Sequence, residues 1–234
     1  MLSVFTMAFN EGKLLQFMID HYRSRFPLCE IFVYDNESTD NTAEIAIANN
    51  CHVIPYYTNG TVDDSKLTNH KNNCWKSANT DWVAVIDVDE LLDINESQLL
   101  HESSLGTTII KSEGYNMVNM EDNFDLINIK YGSRCSPYDK SYIFNKKFIK
   151  EISYAPGGHH CNPIGKATYS ANAYLLYHYN CINIEYQVER HLLTAQRMSE
   201  LNKKNKWGNQ YLVSAEEKRN AMLHSRTYAI KIIP

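Results

Sequence analysis

No apolar run in the 234-residue chain is long enough to cross a bilayer, so no membrane-spanning helix is expected. The N-terminus, MLSVFTMAFNEG, has no basic segment, and Ser3 and Thr6 break its apolar run. It does not read as a secretory signal, and the chain is expected to be cytoplasmic. The six cysteines (Cys29, Cys51, Cys74, Cys135, Cys161, Cys181) include no CxxC pair, which argues for reduced thiols rather than a disulfide framework. An excess of positive charge is also lacking. With 23 Lys and Arg against 27 Asp and Glu the formal charge is -4, which removes the electrostatic case for a nucleic-acid partner. An anionic ligand would therefore need a local device, such as a metal or a few placed cations. Internal repeats and low-complexity stretches are absent as well.

What is present is ordinary globular composition, 44% hydrophobic and 21% charged, sufficient for one large domain or one domain with a helical appendage. The 16 tyrosines supply flat, hydroxyl-tipped surfaces of the kind carbohydrate sites use. The first ninety residues alternate strand and helix. Residues 2–9 read as a strand, and Leu14, Leu15, Met18, Ile19 and Tyr22 recur at helical spacing. EIFVYD is a second strand, followed by capping residues and a helix over 43–48. HVIPYY is a third strand, near a sheet edge because of Pro55. A helix over 65–78 then leads to DWVAVIDVD, the fourth strand. Such alternation specifies a parallel sheet with helices on both faces, and ligands bind outside the carboxyl ends of its strands. Residues 105–180 show strands and no long amphipathic helix, so this half is mixed or antiparallel. A helix returns over 184–205, with Val188, Leu192, Ala195 and Met198 on its apolar face, and another begins near Ser214.

The densest chemistry lies in VIDVDELLDI, where an apolar run meets Asp87, Asp89, Glu90 and Asp93. A solvated loop with a capping carboxylate accounts for Asp93 and Glu90. It serves Asp87 less well, since this residue follows a strand expected to be buried. Asp87 and Asp89 are two apart, so on extended chain their side chains point the same way. Together they can hold a hard divalent cation, Mn²⁺ or Mg²⁺, which relieves their mutual repulsion.

In these motifs residues 1 to about 180 resemble the GT-A glycosyltransferases, close to the family 2-like group of bacterial and viral enzymes. TMAFNEG, YDNESTDNT and HKNNCWKSANTDWVAVIDVDE follow one another in the family's order. The resemblance implies a GT-A, Rossmann-like α/β fold: a mixed sheet with a parallel nucleotide-binding half, helices on both faces and a C-terminal helical segment. The expected division is a domain over 1–182, with a nucleotide-sugar half (1–93) and an acceptor half (94–182), then a helical extension over 183–234. The implied activity is metal-dependent, inverting transfer of a sugar from a nucleotide-sugar, taken as a UDP-sugar, to a hydroxyl of a glycan or other acceptor. Donor contacts are expected from Thr6, Phe9, Asn10, Glu11, Asp35, Asn36, Lys71, Asn72, Asp87, Val88 and His160. Of these, Asp35 is expected to receive the nucleobase or ribose edge.

His178, which ends the last strand before the C-terminal helices, is expected as a third metal ligand with Asp87 and Asp89. Its ordinary titration near pH 6.5 would set protons against the cation. The loop PGGHHCNP is expected at the donor or acceptor pocket, with His160 touching diphosphate or acceptor. For the catalytic base Asp122 is preferred over Glu113, and Arg134 and Lys140 are expected as surface cations. A sugar nucleotidyltransferase and a non-catalytic carbohydrate-binding module are the competing classes. The first is disfavoured by FNEGKLL, which holds one Gly and one Lys where a triphosphate-cradling loop would stand.

Overall fold

The computed structural model describes residues 1–121 and 123–234. Its first part is the expected alternation: β1 (Leu2–Ala8), α1 (Leu15–Arg25), β2 (Glu30–Asp35), α2 (Thr42–Ala48), β3 (His52–Pro55), α3 (Asp64–Asn73) and β4 (Trp82–Val85). These strands lie parallel in the order β4-β1-β2-β3, with β3 and its Pro55 at the edge. A proline there leaves no ladder donor missing in the interior of the sheet. Alternation along β1 sends Leu2 and Val4 to a core shared with Leu15, Met18 and Ile19 of α1, and Phe5 to a core with Trp75 behind α3. Helices thus cover both faces, as a strand sequence apolar on both sides requires.

After β4 the chain reverses. Short strand β5 (Glu90–Leu92) leads to α4 (Glu96–Ser104), and then come β6 (Ile109–Val118), β7 (Tyr131–Arg134), β8 (Ile143–Asn145), β9 (Ile149–Glu151), β10 (Ile164–Gly165) and the long β11 (Tyr169–Cys181). β8 joins β4 to β6 by antiparallel pairing, and β11 runs parallel to β6 while pairing antiparallel with β5. The second half is therefore mixed, as expected. Strands β9 and β10 form a small separate ladder. The chain ends with α5 (Ile184–Arg197), α6 (Glu200–Asn205), α7 (Ala215–Tyr228) and β12 (Ile230–Lys231), the last of which pairs with β7. Among the described residues no helix is long and apolar enough to cross a membrane.

Two expectations need correction here. The helix over 184–205 breaks at Met198, because the Ser199 hydroxyl caps a new helix by accepting from the Asn202 amide. Residue 198 is instead drawn into a parallel bridge with Val62. The expected apolar face of α5 is met in part: Val188 and Met198 are buried as expected, but Leu192 is 40% exposed and Ile184, Gln187 and His191 are buried beside them.

Asn72, expected at the donor, instead clamps two segments of the fold. Its Oδ1 accepts from the Tyr154 amide at 2.7 Å and its Nδ2 donates to the Tyr154 carbonyl at 3.2 Å. Replacing it strands the backbone polar groups of a buried residue. Asn72→Ala is expected to lower stability by about 1–3 kcal/mol, read as a lower urea midpoint at unchanged slope.

Candidate functional site

The carboxyl ends of β1, β2 and β4 open onto one pocket of about 340 Å³. Phe9, Asn10 and Glu11 reach it after β1, Asn36 after β2, and Asp87, Val88, Asp89 and Glu90 after β4. The turn after β1 is tied to the one after β2. Asn10, at positive φ, exchanges hydrogen bonds with Thr39, and the Glu11 amide donates to the Thr42 hydroxyl at 2.8 Å. Gly12 donates to Asp40, and a Cβ at position 12 would run into the Asn41 side chain.

The acidic run does not continue β4 as expected. The strand stops at Val85, and a turn closed by the Glu90 amide donating to the Asp87 carbonyl carries Asp87 to Asp89. Asp87 and Asp89 therefore take different partners. Lys71, from α3, donates to both Asp87 oxygens at 2.7 and 2.9 Å. Burial acts to raise the Asp87 pKa, but Lys71 and Lys140 outweigh it and hold the carboxyl at about 2. Asp89 faces Arg190 of α5 at 3.6 Å and the His178 Nε2 at 3.8 Å.

Glu90 is no capping carboxylate. It pairs at 2.7 Å with Lys140, both side chains being 2% exposed, so Lys140 is not a surface cation either. The rings of Tyr138 and Tyr142 flank the ammonium at 4.7 and 4.9 Å from their centroids. Burial, with Asp87 and Asp89 nearby, holds the Glu90 carboxyl above its usual range against the pull of Lys140. Asp93 likewise caps nothing; it binds Arg25 at 2.8 Å and accepts from the Tyr177 hydroxyl, while Asn95 caps α4.

Strand register explains the neighbours of Glu90. His178 of β11 stands directly opposite Glu90 of β5 and Asn116 of β6, so the three side chains form one row across the sheet. Asn116 Oδ1 accepts from the His178 Nδ1 at 2.7 Å, which leaves the Nε2 lone pair toward Asp89. Burial lowers the His178 pKa to about 4 despite the opposing Asp89, well below the ordinary titration expected from sequence. One donor atom each from Asp89, Glu90 and His178 lies within 4.8 Å of the others, and Glu90 Oε2 is buried without a partner. Two carboxylates and a neutral imidazole fit a hard or borderline divalent cation. Asp87, expected as a ligand, is paired with Lys71, and the third donor atom near Asp89 and His178 is that of Glu90, itself paired with Lys140 through its Oε1.

Sequence reasoning assigned no site role to α5, whose Arg190, Leu193, Thr194 and Arg197 line the pocket. Their i, i+3, i+4, i+7 spacing is the signal that could have found them. Arg190 also pairs with Glu11, whose second oxygen is buried and unpartnered. Burial pushes the Glu11 carboxyl up to about 7, with Arg190 acting against it and Asp89 reinforcing it.

Other expected residues lie apart from this pocket. Thr6 is buried behind it, beside His70 and Cys74, and Asp35 is not among its lining residues. His159, rather than His160, reaches the lining, next to Gly157 and Gly158. Glu113 is engaged by the Tyr115 hydroxyl at 2.7 Å and by Arg134 at 3.2 Å, away from the pocket. Asp122 lies outside the described residues.

Two outcomes follow from the buried charges. Lys140→Ala leaves Glu90 sealed without its counter-charge and is expected to cost about 3–5 kcal/mol in chemical denaturation, most of it recovered when Glu90→Leu accompanies Lys140→Met. For Glu11, a raised folded pKa means that the native state holds a proton the unfolded chain has released, so its contribution falls as pH rises from about 4.5 to about 7. Glu11→Gln is therefore expected to gain stability relative to wild type across that window, measured by paired denaturation curves at several pH values.

Residues 3–102 match the family model described as glycosyl transferase family 2. No curated protein sequence matches the chain. Among solved structures, S. aureus TarS is 18% identical over 83% of this chain and 39% of its own, with a TM-score of 0.44. TarS 1–349 in complex with UDP is 16% identical over 90% of this chain and 70% of its own, with a TM-score of 0.47. Glucosyl-3-phosphoglycerate synthase from Mycobacterium tuberculosis, in complex with Mg²⁺ and UDP, is 20% identical over 68% of this chain and 61% of its own, with a TM-score of 0.41. The chain thus spans well under half the length of the first of these and less than two thirds of the last. Residues 3–102, which carry the parallel β4-β1-β2-β3 half and the acidic turn at its rim, are thus similar to glycosyl transferase family 2.

Proposed function

We propose that the protein transfers a sugar from a nucleotide-sugar donor, a uridine diphosphate sugar, to an acceptor hydroxyl with inversion at the anomeric carbon. The observation that carries this reading is the joining, at one rim, of three acidic residues with Lys71, Lys140 and Arg190 from separate elements. A diphosphate leaving group needs its developing charge neutralised, and that set can receive both a cation and phosphate oxygens. Asp89, Glu90 and His178 would hold Mn²⁺ or Mg²⁺, which when bound supplies Lewis-acid stabilisation of the departing diphosphate. Lys71 keeps Asp87 ionised but neutralised, so that phosphate does not meet a bare carboxylate. Arg190, shared between Glu11 and Asp89, has its guanidinium within the pocket and can turn toward diphosphate oxygens. The acceptor hydroxyl attacks the anomeric carbon as the bond to the diphosphate breaks, and its proton passes to a carboxylate, for which Asp122 is the proposed base. Glu113, held by Arg134 and Tyr115, is not proposed. The nucleotidyltransferase alternative is weakened further by the turn after β1, where Asp40 and Asn41 fill the space at Gly12 that a triphosphate would need.

UDP is expected to raise the melting temperature in the presence of Mn²⁺ and far less after EDTA. Asp89→Ala is expected to stay folded and to lose the metal-dependent part of that rise. Equal stabilisation with and without metal rules out the metal role, and an unfolded Asp89→Ala makes the cluster structural. Because burial keeps His178 neutral down to about 4 but raises the Glu90 carboxyl to about 7, Mn²⁺ affinity is expected to weaken as pH falls below about 7 through protonation of Glu90 rather than of His178, and Glu90→Gln should remove that part of the pH dependence.

A further inference from the structure

Helix α5 puts two arginines into the pocket seven residues apart, about 10 Å along its axis at 1.5 Å per residue. Arg190 stands at the acidic end beside Asp89. Arg197 stands at the other end, its guanidinium carbon 3.2 Å from the centroid of the Phe9 ring. Its Nη2 donates to Asn36 Oδ1 at 3.0 Å and its Nε to the Gly60 carbonyl at 3.1 Å. The Arg197 carbonyl accepts from the Val62 amide at 2.7 Å, which fixes this end of the helix to the loop bordering the pocket. A guanidinium carries five N–H groups in one plane, and two are used here. The remaining three have no hydrogen-bonded protein acceptor among the described residues, although the Glu37 carboxylate acts on the Arg197 charge; the pocket lining also includes Phe9, Thr61, Val62, Asp64 and Leu67.

The Arg197 end of the pocket has the wrong chemistry for phosphate and the right chemistry for a flat ring. It offers aliphatic walls and a planar guanidinium already stacked on the Phe9 ring and held in place, so little ordering remains to be done on binding. We infer that Arg197 is the residue that selects the nucleobase, taking a ring with carbonyl groups on its facing edge, as in a uridine nucleotide, against its guanidinium. An adenine amino group would set donor against donor at the same place. Asn36 serves this through Arg197, because its own amide nitrogen is spent on the Tyr56 carbonyl and the Thr58 hydroxyl. It is a positioning residue and not a direct base contact. Spacing on α5 then matches one ligand to two arginines, base at Arg197 and diphosphate at Arg190.

This inference rests on the nucleotide-sugar reading, and one set of titrations separates the two. UDP, ADP and inorganic pyrophosphate are titrated calorimetrically, with Mn²⁺, into the wild type, Arg197→Ala and Arg197→Lys. Wild type is expected to bind UDP more tightly than ADP. Arg197→Ala is expected to weaken UDP roughly 10- to 100-fold, to bring UDP and ADP together and to leave pyrophosphate within about twofold. Arg197→Lys should behave like Arg197→Ala, since an ammonium has no plane to stack and no fork to donate. Pyrophosphate weakened as much as UDP, rescue by Arg197→Lys, or unchanged UDP binding in Arg197→Ala each overturns the assignment. Should Arg197→Ala fail to fold, Arg197→Gln, similar in length and uncharged, gives the same comparison. A wild type that binds neither UDP nor pyrophosphate refutes the nucleotide-sugar reading itself.

Discussion

Lys140 meets Glu90 where water is excluded, and the surrounding strand ends are arranged about that contact. A carboxylate moved from water to such a place is held only if a cation with good geometry accompanies it. Glu90 sits at the first position of β5, so its burial turns the chain back after β4 and sets Asp87 and Asp89 on either side of the turn. The same strand brings His178 opposite Glu90 through its pairing with β11. The backbone turn that leads into β5 separates the roles of Asp87, neutralised by Lys71, and Asp89, directed into the pocket.

The charges at the rim are distributed rather than summed. Lys71 comes from α3, Lys140 from the segment before β8 and Arg190 from α5, so each acidic residue is matched by a cation from a different part of the chain. A protein with net charge -4 can thereby offer a phosphate a locally balanced surface. Two carboxyls, Glu11 and Glu90, keep one unpartnered buried oxygen each, and it is there that a further cation or donor finds unused acceptors.

Much of the parallel half was legible in the chain because its signals are local. Apolar runs of strand length and Pro55 at the edge each act within a few residues. The same holds for Ser214, whose hydroxyl and Glu217 close a capping box at the start of α7. The pairing of Glu90 with Lys140 was not legible, since fifty residues separate them and only the register of β4, β8 and β6 brings them together. The spacing of Asp87 and Asp89 misled for a related reason: two residues apart share a face on extended chain, but here a turn intervenes. On α5 the apolar residues drew attention away from Arg190 and Arg197, although these two recur on one face. His178 was singled out on the family resemblance and on an expected strand end, whereas β11 runs on to Cys181 and it is register that sets His178 opposite Glu90.

The bridge between Val62 and Met198 has a consequence for the order of assembly. The Val62 amide donates to the Arg197 carbonyl, and the Asp64 amide to Asn202 Oδ1 at 2.9 Å, across about 135 residues of intervening chain. Contacts of such sequence separation close late, after the local βα units have gathered. During synthesis the first hundred residues leave the ribosome long before α5 exists. The parallel half therefore waits with its acidic rim open until the wall bearing Arg190 and Arg197 arrives.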